Sequence, residues 1–184
     1  MIDKTIVETV ISEMNNGFGE NEEYFCKTRD VFAARMQSYI SETGKYLEAA
    51  IIGEIGNNTF DHNFGFFSSY PAGAYCNLKY RQKFTILADF GKGIKQSLLS
   101  VLPAIESDRD AMEIAFTKRV SGRSPEQRGN GLKFVSQAIQ QNDWHLYFQS
   151  GSGACSIDKS NILFSETTLS IRGCLAIIDF NKGF

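Results

Sequence analysis

Glu54-Ile55-Gly56-Asn57-Asn58-Thr59-Phe60-Asp61-His62 is the stretch on which the reading of this chain turns. Leu47, Ala50, Ile51 and Ile55 recur around it at helical spacing, which predicts a helix over residues 46–63. On that helix Glu54, Asn58 and His62 fall at i, i+4 and i+8 and project along one face. A carboxylate one turn before a carboxamide suits a nucleotide site. The amide oxygen can coordinate Mg²⁺, a hard cation that takes oxygen ligands, and the carboxylate can orient or deprotonate an attacking hydroxyl or water. The same spacing also serves a solvated polar stripe, and the segment alone leaves both readings open. Gly53 and Gly56 each cost a helix interior about 1 kcal/mol relative to Ala, which points to close packing or a close ligand.

Two further segments extend the pattern. Ala88-Asp89-Phe90-Gly91-Lys92-Gly93-Ile94 ends an apolar strand. An acid leaving a strand can accept a hydrogen bond from an exocyclic amine such as that of adenine, and the glycines permit a tight turn. Arg128-Gly129-Asn130-Gly131-Leu132-Lys133-Phe134 opens a helix, where free backbone N–H groups bind phosphate readily. Singly, both are common: Asp and Gly favour any turn, and a glycine-rich helix entry needs no ligand.

The rest of the chain supplies the frame. Periodicity predicts helices over 4–15, 22–42 (ended by Gly44) and 132–141. Strands are expected over 74–80 and 84–89, joined by a basic Arg81-Gln82-Lys83 turn, and over 144–149, 154–157 and 174–180, with Gly151-Ser152-Gly153 as a hairpin connection. Helices, strands, helices, strands imply an α+β sandwich with helices covering one sheet face. The first 44 residues read as an N-terminal helical extension and residues 45–184 as the main domain.

Composition narrows the function classes. A chain of 184 residues with 42% hydrophobic and 22% charged residues has the make-up of a folded globule, not a disordered chain. A net charge of −2 gives no general field for nucleic acid or anionic membrane, so any phosphate must be held locally. No apolar run approaches the roughly 18–20 residues of a membrane span. Cys26, Cys76, Cys155 and Cys174 form no C-x-x-C pair and only two histidines exist, so a zinc cluster is not expected. Free, buried thiols in a reducing compartment, hence the cytoplasm, are the simple reading. No Walker A pattern occurs.

Taken together, the three segments resemble the nucleotide-binding boxes of the GHKL (gyrase, Hsp90, histidine kinase, MutL) superfamily, closest in style to anti-sigma-factor serine kinases and sensor-kinase catalytic domains. Glu54 to His62 resembles the N box, E-x-x-x-N-x-x-x-H. Asp89 to Ile94 resembles the G1 box, D-x-G-x-G-I, and Gly129 to Leu132 the G2 box, G-x-G-L. Gly173-Cys174 falls where the family usually carries Gly-Thr before its last strand. Phe90 stands where the family often has Asn, and Lys133 where it often has a small residue.

The resemblance implies a two-layer α/β sandwich of the Bergerat type, its sheet mixed but mostly antiparallel. It implies Mg²⁺ at Asn58, and Glu54 as the catalytic or water-positioning acid. It further implies an ATP site formed by Asn57, Asn58, His62, Asp89, Gly91, Gly93, Ile94, Arg128, Gly129, Gly131, Leu132 and Cys174. Residues 95–128 would form a lid over the nucleotide, with Lys118, Arg119, Arg123 and Arg128 as phosphate-facing candidates. Cys174 replaces a good hydroxyl by a weak S–H donor. The implied function is a stand-alone kinase or ATP-driven switch acting on a separate protein partner, with a non-catalytic nucleotide-sensing module as the alternative. The first 50 residues lack histidine, so self-phosphorylation on a preceding hairpin is not expected. The N-terminal helices would dimerise the chain, carry the partner site or simply pack on the domain.

Overall fold

The structure, a computed structural model, describes residues 1–19, 22–63, 73–118 and 131–181, without the side chain of His62. It is α+β: a five-stranded sheet in the order β1-β2-β3-β5-β4, with helices on it. The strands are β1 Phe25–Cys26, β2 Ala74–Tyr80, β3 Phe84–Asp89, β4 His145–Ile157 and β5 Ile162–Asp179. The helices are α1 Lys4–Asn15, α2 Arg29–Thr43, α3 Tyr46–His62, α4 Gly93–Leu98, α5 Asp108–Thr117 and α6 Gly131–Gln141. Every strand pairing among the described residues is antiparallel, in line with the mostly antiparallel sheet expected.

Strand β3 shows how the layers form. All six of its residues are buried, and successive side chains point to opposite faces. Leu87 joins the core formed with α2, α3, α5 and α6, whereas Phe84, Ile86 and Ala88 join a second core built with α1. Helices therefore lie on both faces rather than one. Val7, Val10, Ile11 and Met14 of α1, with Phe18 just beyond it, are buried on the sheet. Full burial of such side chains contributes about 1.5–3 kcal/mol each. Phe18 stacks on Tyr75 with ring centroids 3.7 Å apart.

The helix expected over 22–42 starts late. Thr28 caps α2, its side chain accepting the Val31 N–H at 3.4 Å, and the residues before the cap are drawn into the sheet. Phe25 and Cys26 pair with Tyr75 and Ala74. The Arg35 guanidinium fastens this corner, donating to the Tyr24 carbonyl at 3.1 Å, to the Cys76 carbonyl at 2.8 Å and to the Glu23 carbonyl. Glu22–Tyr24 form a single 3-10 turn, and pairing of Phe25 and Cys26 with β2, with the Arg35 bonds, outcompetes the helical propensity of this stretch.

The other difference lies at Gly151-Ser152-Gly153, which is no hairpin turn. β4 runs through it as one strand of 13 residues, and the register slips between Ser150 and Gly153. Ser150, Gly151 and Gly153 face Cys174, Ile171 and Glu166, so the surplus residues that break the register lie on β5, while Gly151 takes φ +60°. Gln149, fully buried, donates from Nε2 to the carbonyls of Gly151 (3.0 Å) and Leu169 (2.6 Å), and its Oε1 accepts from the Tyr147 hydroxyl (2.6 Å). Asp108 at the start of α5 accepts from the Ser152 N–H at 2.9 Å. A Cβ on Gly151 or Gly153 would collide with Asp108. The glycines thus let α5 approach the strand.

Candidate functional site

The last two turns of α3 lie beside the end of β3 and the stretch of β5 around Cys174. Asn58, Thr59 and Asn63 from this helix and its C-cap enclose a cavity together with Asp89, Gly93, Ile94, Ser97, Phe148 and Cys174. Its empty volume is about 450 Å³ including the open mouth. Strand alternation aims the pieces: Asp89 follows the parity of Leu87 and faces the α3 side. Phe90 follows Ala88 into the opposite core, where it meets Phe18 edge-on at 6.4 Å. That is why an aromatic residue is accommodated at the second position of the Asp89–Ile94 turn.

Asp89 is the electrostatic centre. It is 5% exposed, and Oδ1 accepts from the Gly91 N–H at 2.8 Å and from Asn63 Nδ2 at 3.2 Å. Oδ2 accepts from the Thr59 hydroxyl at 3.3 Å, and the backbone N–H of Cys174 also favours the carboxylate. Burial raises its pKa to about 6, and these four donors oppose the rise. Asn63 also accepts the Lys92 N–H at 3.0 Å on its Oδ1, so one side chain ties the acid to the turn that follows it. A Cβ on Gly91 would coincide with the Asn63 amide.

The far wall is built across β4 and β5. Ser150 sits opposite Cys174, accepts the Ile94 N–H at 2.9 Å and donates to the Gly173 carbonyl at 2.9 Å. Cys174 Sγ lies 3.7 Å from the Ser150 hydroxyl and donates to it. Burial, then the Asp89 charge, pushes the Cys174 thiol well above its ordinary range, so it remains S–H. Ser150 thus brings a hydroxyl next to the position where Cys174 lacks one. Gly93 (φ +77°) and Gly173 (φ +79°) occupy left-handed backbone. A Cβ on Gly173 would strike the Asp89 carbonyl.

Of the residues singled out in the sequence, Asn58, Asp89, Gly93, Ile94 and Cys174 border one cavity. Gly91 supports Asp89 from the turn. Glu54, exposed one turn before Asn58, meets Gly131: a Cβ there would touch its Oε2. The start of α6 therefore adjoins the α3 motif. Asn57 is half-buried and lies outside the cavity lining, since its position on α3 is turned about 100° from Asn58. Leu132 belongs to the core with Val135 and Ile139. His62 ends α3, while its side chain, with Arg119, Arg123, Arg128 and Gly129, lies outside the described residues.

The stretch 95–118 differs from a simple lid. Met112 and Phe116 of α5 are buried, with Phe116 edge-on to Phe148 at 5.4 Å, so this helix is core. Lys118 is exposed at its end. The remainder of the expected lid, residues 119–128, lies outside the described residues. Gly56 has a packing explanation: the Phe32 ring of α2 occupies the place of a Cβ. Thr59, Asn63, Ser97 and Ser150 were missed by the sequence reading. Thr59 adjoins Asn58 and Asn63 is a helix-ending Asn, both readable signals, whereas the Ser150–Cys174 pairing exists only in the folded sheet.

No group of three or more His, Cys, Asp or Glu positioned to hold a metal occurs among the described residues, and no described helix is long and apolar enough to cross a membrane. Among solved structures, the chain is similar to the 43K ATPase domain of Thermus thermophilus gyrase B in complex with an aminocoumarin, at 13% identity and a TM-score of 0.42. The match covers 77% of this chain and 38% of that one, so the chain spans about two fifths of that structure's length. No protein-family model matches the sequence, and no curated protein matches it.

Proposed function

We propose that this chain is a Mg²⁺-dependent ATP-binding regulatory domain that acts on a separate protein partner as a kinase or an ATP-driven switch. The observation that carries the reading is convergence. Asn58, Asp89 and Cys174, 31 and 85 residues apart in sequence as numbered, border a single cavity, and Glu54 reaches the first residue of α6.

The donor set suits both ligands. The buried Asp89 and its helpers offer hydrogen-bond acceptors to an exocyclic amine. Asn58 faces the cavity, and its amide has no hydrogen-bond partner among the described residues. One side-chain oxygen supplemented by phosphate oxygens and water is a usual Mg²⁺ environment. When bound, the metal neutralises charge on the phosphates. In this reading Asn58 holds it, and Glu54 orients or deprotonates the attacking hydroxyl.

Calorimetry with Mg-ATP tests the reading. Wild type binds, Asp89→Asn weakens binding about ten-fold or more for the loss of a charged hydrogen bond, and Asn58→Asp alters the magnesium dependence. Absence of heat and of any thermal shift with the wild type overturns it. A non-catalytic sensing module is the second reading, supported by the lack of any hydrogen bond orienting the Glu54 carboxylate among the described residues. Glu54→Gln separates the two: partner binding that still responds to ATP supports sensing, and loss of output with ATP still bound supports catalysis.

A further inference from the structure

We propose that a cavity on the opposite face of the sheet, between the end of α1 and β2, is a second binding site that takes an organic cation, a guanidinium or alkylammonium group. Its Tyr75 and Tyr80 belong to the core built with α1. The site shares no residue with the nucleotide cavity and does not depend on ATP binding there.

The cavity has an empty volume of about 870 Å³ including its open mouth. Glu13 of α1, half-buried, is the only charged residue in its lining. One oxygen of this carboxylate accepts from the Tyr80 hydroxyl at 2.9 Å. The other has no partner among the described residues, and no described lysine or arginine forms an ion pair with the group. An ionised carboxylate only accepts, on about four lone-pair sites, so most of its capacity is open to a guest. An anion would meet the Glu13 charge with no basic residue in the lining to offset it. A neutral apolar guest would cover the carboxylate without pairing it, which is costly. A cation does neither.

The walls suit the same guest. Tyr75 is 3% exposed and Asn77 8%, and both line the cavity. Asn77 Nδ2 donates to the Tyr75 hydroxyl at 3.4 Å and Oδ1 accepts the Lys79 N–H at 3.1 Å, which fixes the orientation of the carboxamide. The hydroxyls of Tyr24 and Tyr75 bring oxygens with lone pairs to spare into the lining that Glu13 shares. Tyr24 meets the Tyr75 ring edge-on at 5.8 Å, and Phe18 lies flat on it. Aromatic surface beside a carboxylate favours a weakly hydrated cation, guanidinium above all. Arg81, itself exposed, already sets its guanidinium 5.5 Å from the centre of the Tyr80 ring, without pairing with Glu13. The group can arrive on an arginine or lysine of a partner protein or as a free small amine.

Calorimetry on the full chain measures this with three probes: N-acetyl-arginine methylamide, its neutral isostere N-acetyl-citrulline methylamide, and agmatine. Wild type binds the arginine compound about ten-fold more tightly than the citrulline one, the worth of a charge-assisted contact. Glu13→Gln keeps an oxygen for the Tyr80 hydroxyl and drops the charge, so the arginine preference falls to about one. Agmatine binding more tightly than the blocked arginine assigns the site to a free amine, and the reverse order assigns it to a protein side chain; either supports a cation site. A preference that survives in Glu13→Gln overturns the inference. So does a wild-type ratio near one, or no binding of any probe, measurements that need no variant. Both leave the ATP reading untouched.

Discussion

Replacing Gly91 by Ala should destabilise the fold through Asn63 and almost nothing else. Gly91 has no left-handed φ, so Ala adds no backbone strain, yet its Cβ would coincide with Oδ1, Cγ and Nδ2 of Asn63. The displaced amide forfeits the Lys92 N–H at 3.0 Å and its own bond to Asp89 at 3.2 Å. A neutral hydrogen bond is worth about 0.5–1.5 kcal/mol and one to a charge about 1.5–3, so the substitution costs about 2–4 kcal/mol. Asn63→Ala loses the same two bonds and costs about the same. The double variant has no amide to displace and costs about as much as either single, giving a coupling of about 2–4 kcal/mol. Changes in unfolded-chain entropy from Gly→Ala appear on both sides of the cycle and cancel. Urea unfolding followed by fluorescence of Trp144, the single tryptophan and a buried one, reads this out. At an m-value of about 1–3 kcal/mol/M the single variants lose about 1–2 M in midpoint. Additivity of the two substitutions to within about 0.5 kcal/mol would show that Gly91 and Asn63 do not meet as described.

Two further outcomes follow from the same cores. Asp89 carries a pKa raised from 3.8 to about 6, so across that window the folded protein holds a proton that the unfolded chain has released. Stability from this group therefore falls as pH rises through the window and is flat above it; wild type minus Asp89→Asn, measured by unfolding across pH, shows this decline, and a pH-independent difference contradicts it. Gly56→Ala on α3 should destabilise by about 1–3 kcal/mol, because the new methyl overpacks Phe32, although helix propensity alone favours Ala by about 1 kcal/mol. Thermal melts give the sign directly, and a stabilised variant refutes the contact.

The elements that carry local signals were legible. β2 and β3 occupy 74–80 and 84–89, as the apolar runs on either side of Arg81-Gln82-Lys83 predict, and α1 fills 4–15. What was hidden depends on tertiary partners. Phe25 and Cys26 read as helix because periodicity cannot see the Arg35 bonds that hold them against Ala74 and Tyr75. Gly151-Ser152-Gly153 has the composition of a turn, yet the Gln149 clamp and Asp108 hold it within one continuous strand, and the surplus residues lie opposite it on β5. The two-sided burial of the sheet was missed because α1 is amphipathic in the ordinary way and its sequence does not say which surface it covers. At the site, the spacing of Glu54, Asn58, Asp89 and Cys174 was readable. Thr59 and Asn63 became visible only once Asp89 was placed beneath them, since their importance lies in where their hydrogens go.

Phe90 gives the turn after β3 a mechanical character. Its ring is held among Phe18 and the α1 core on one side of the sheet, while its neighbours Asp89 and Gly91 are held by Asn63 on the other. A shift of this turn by even an ångström would drag an aromatic ring through close-packed surroundings that resist deformation. The turn is accordingly a fixed jaw, shaped before any ligand arrives, and a guest that fits it loses little freedom of the host on docking.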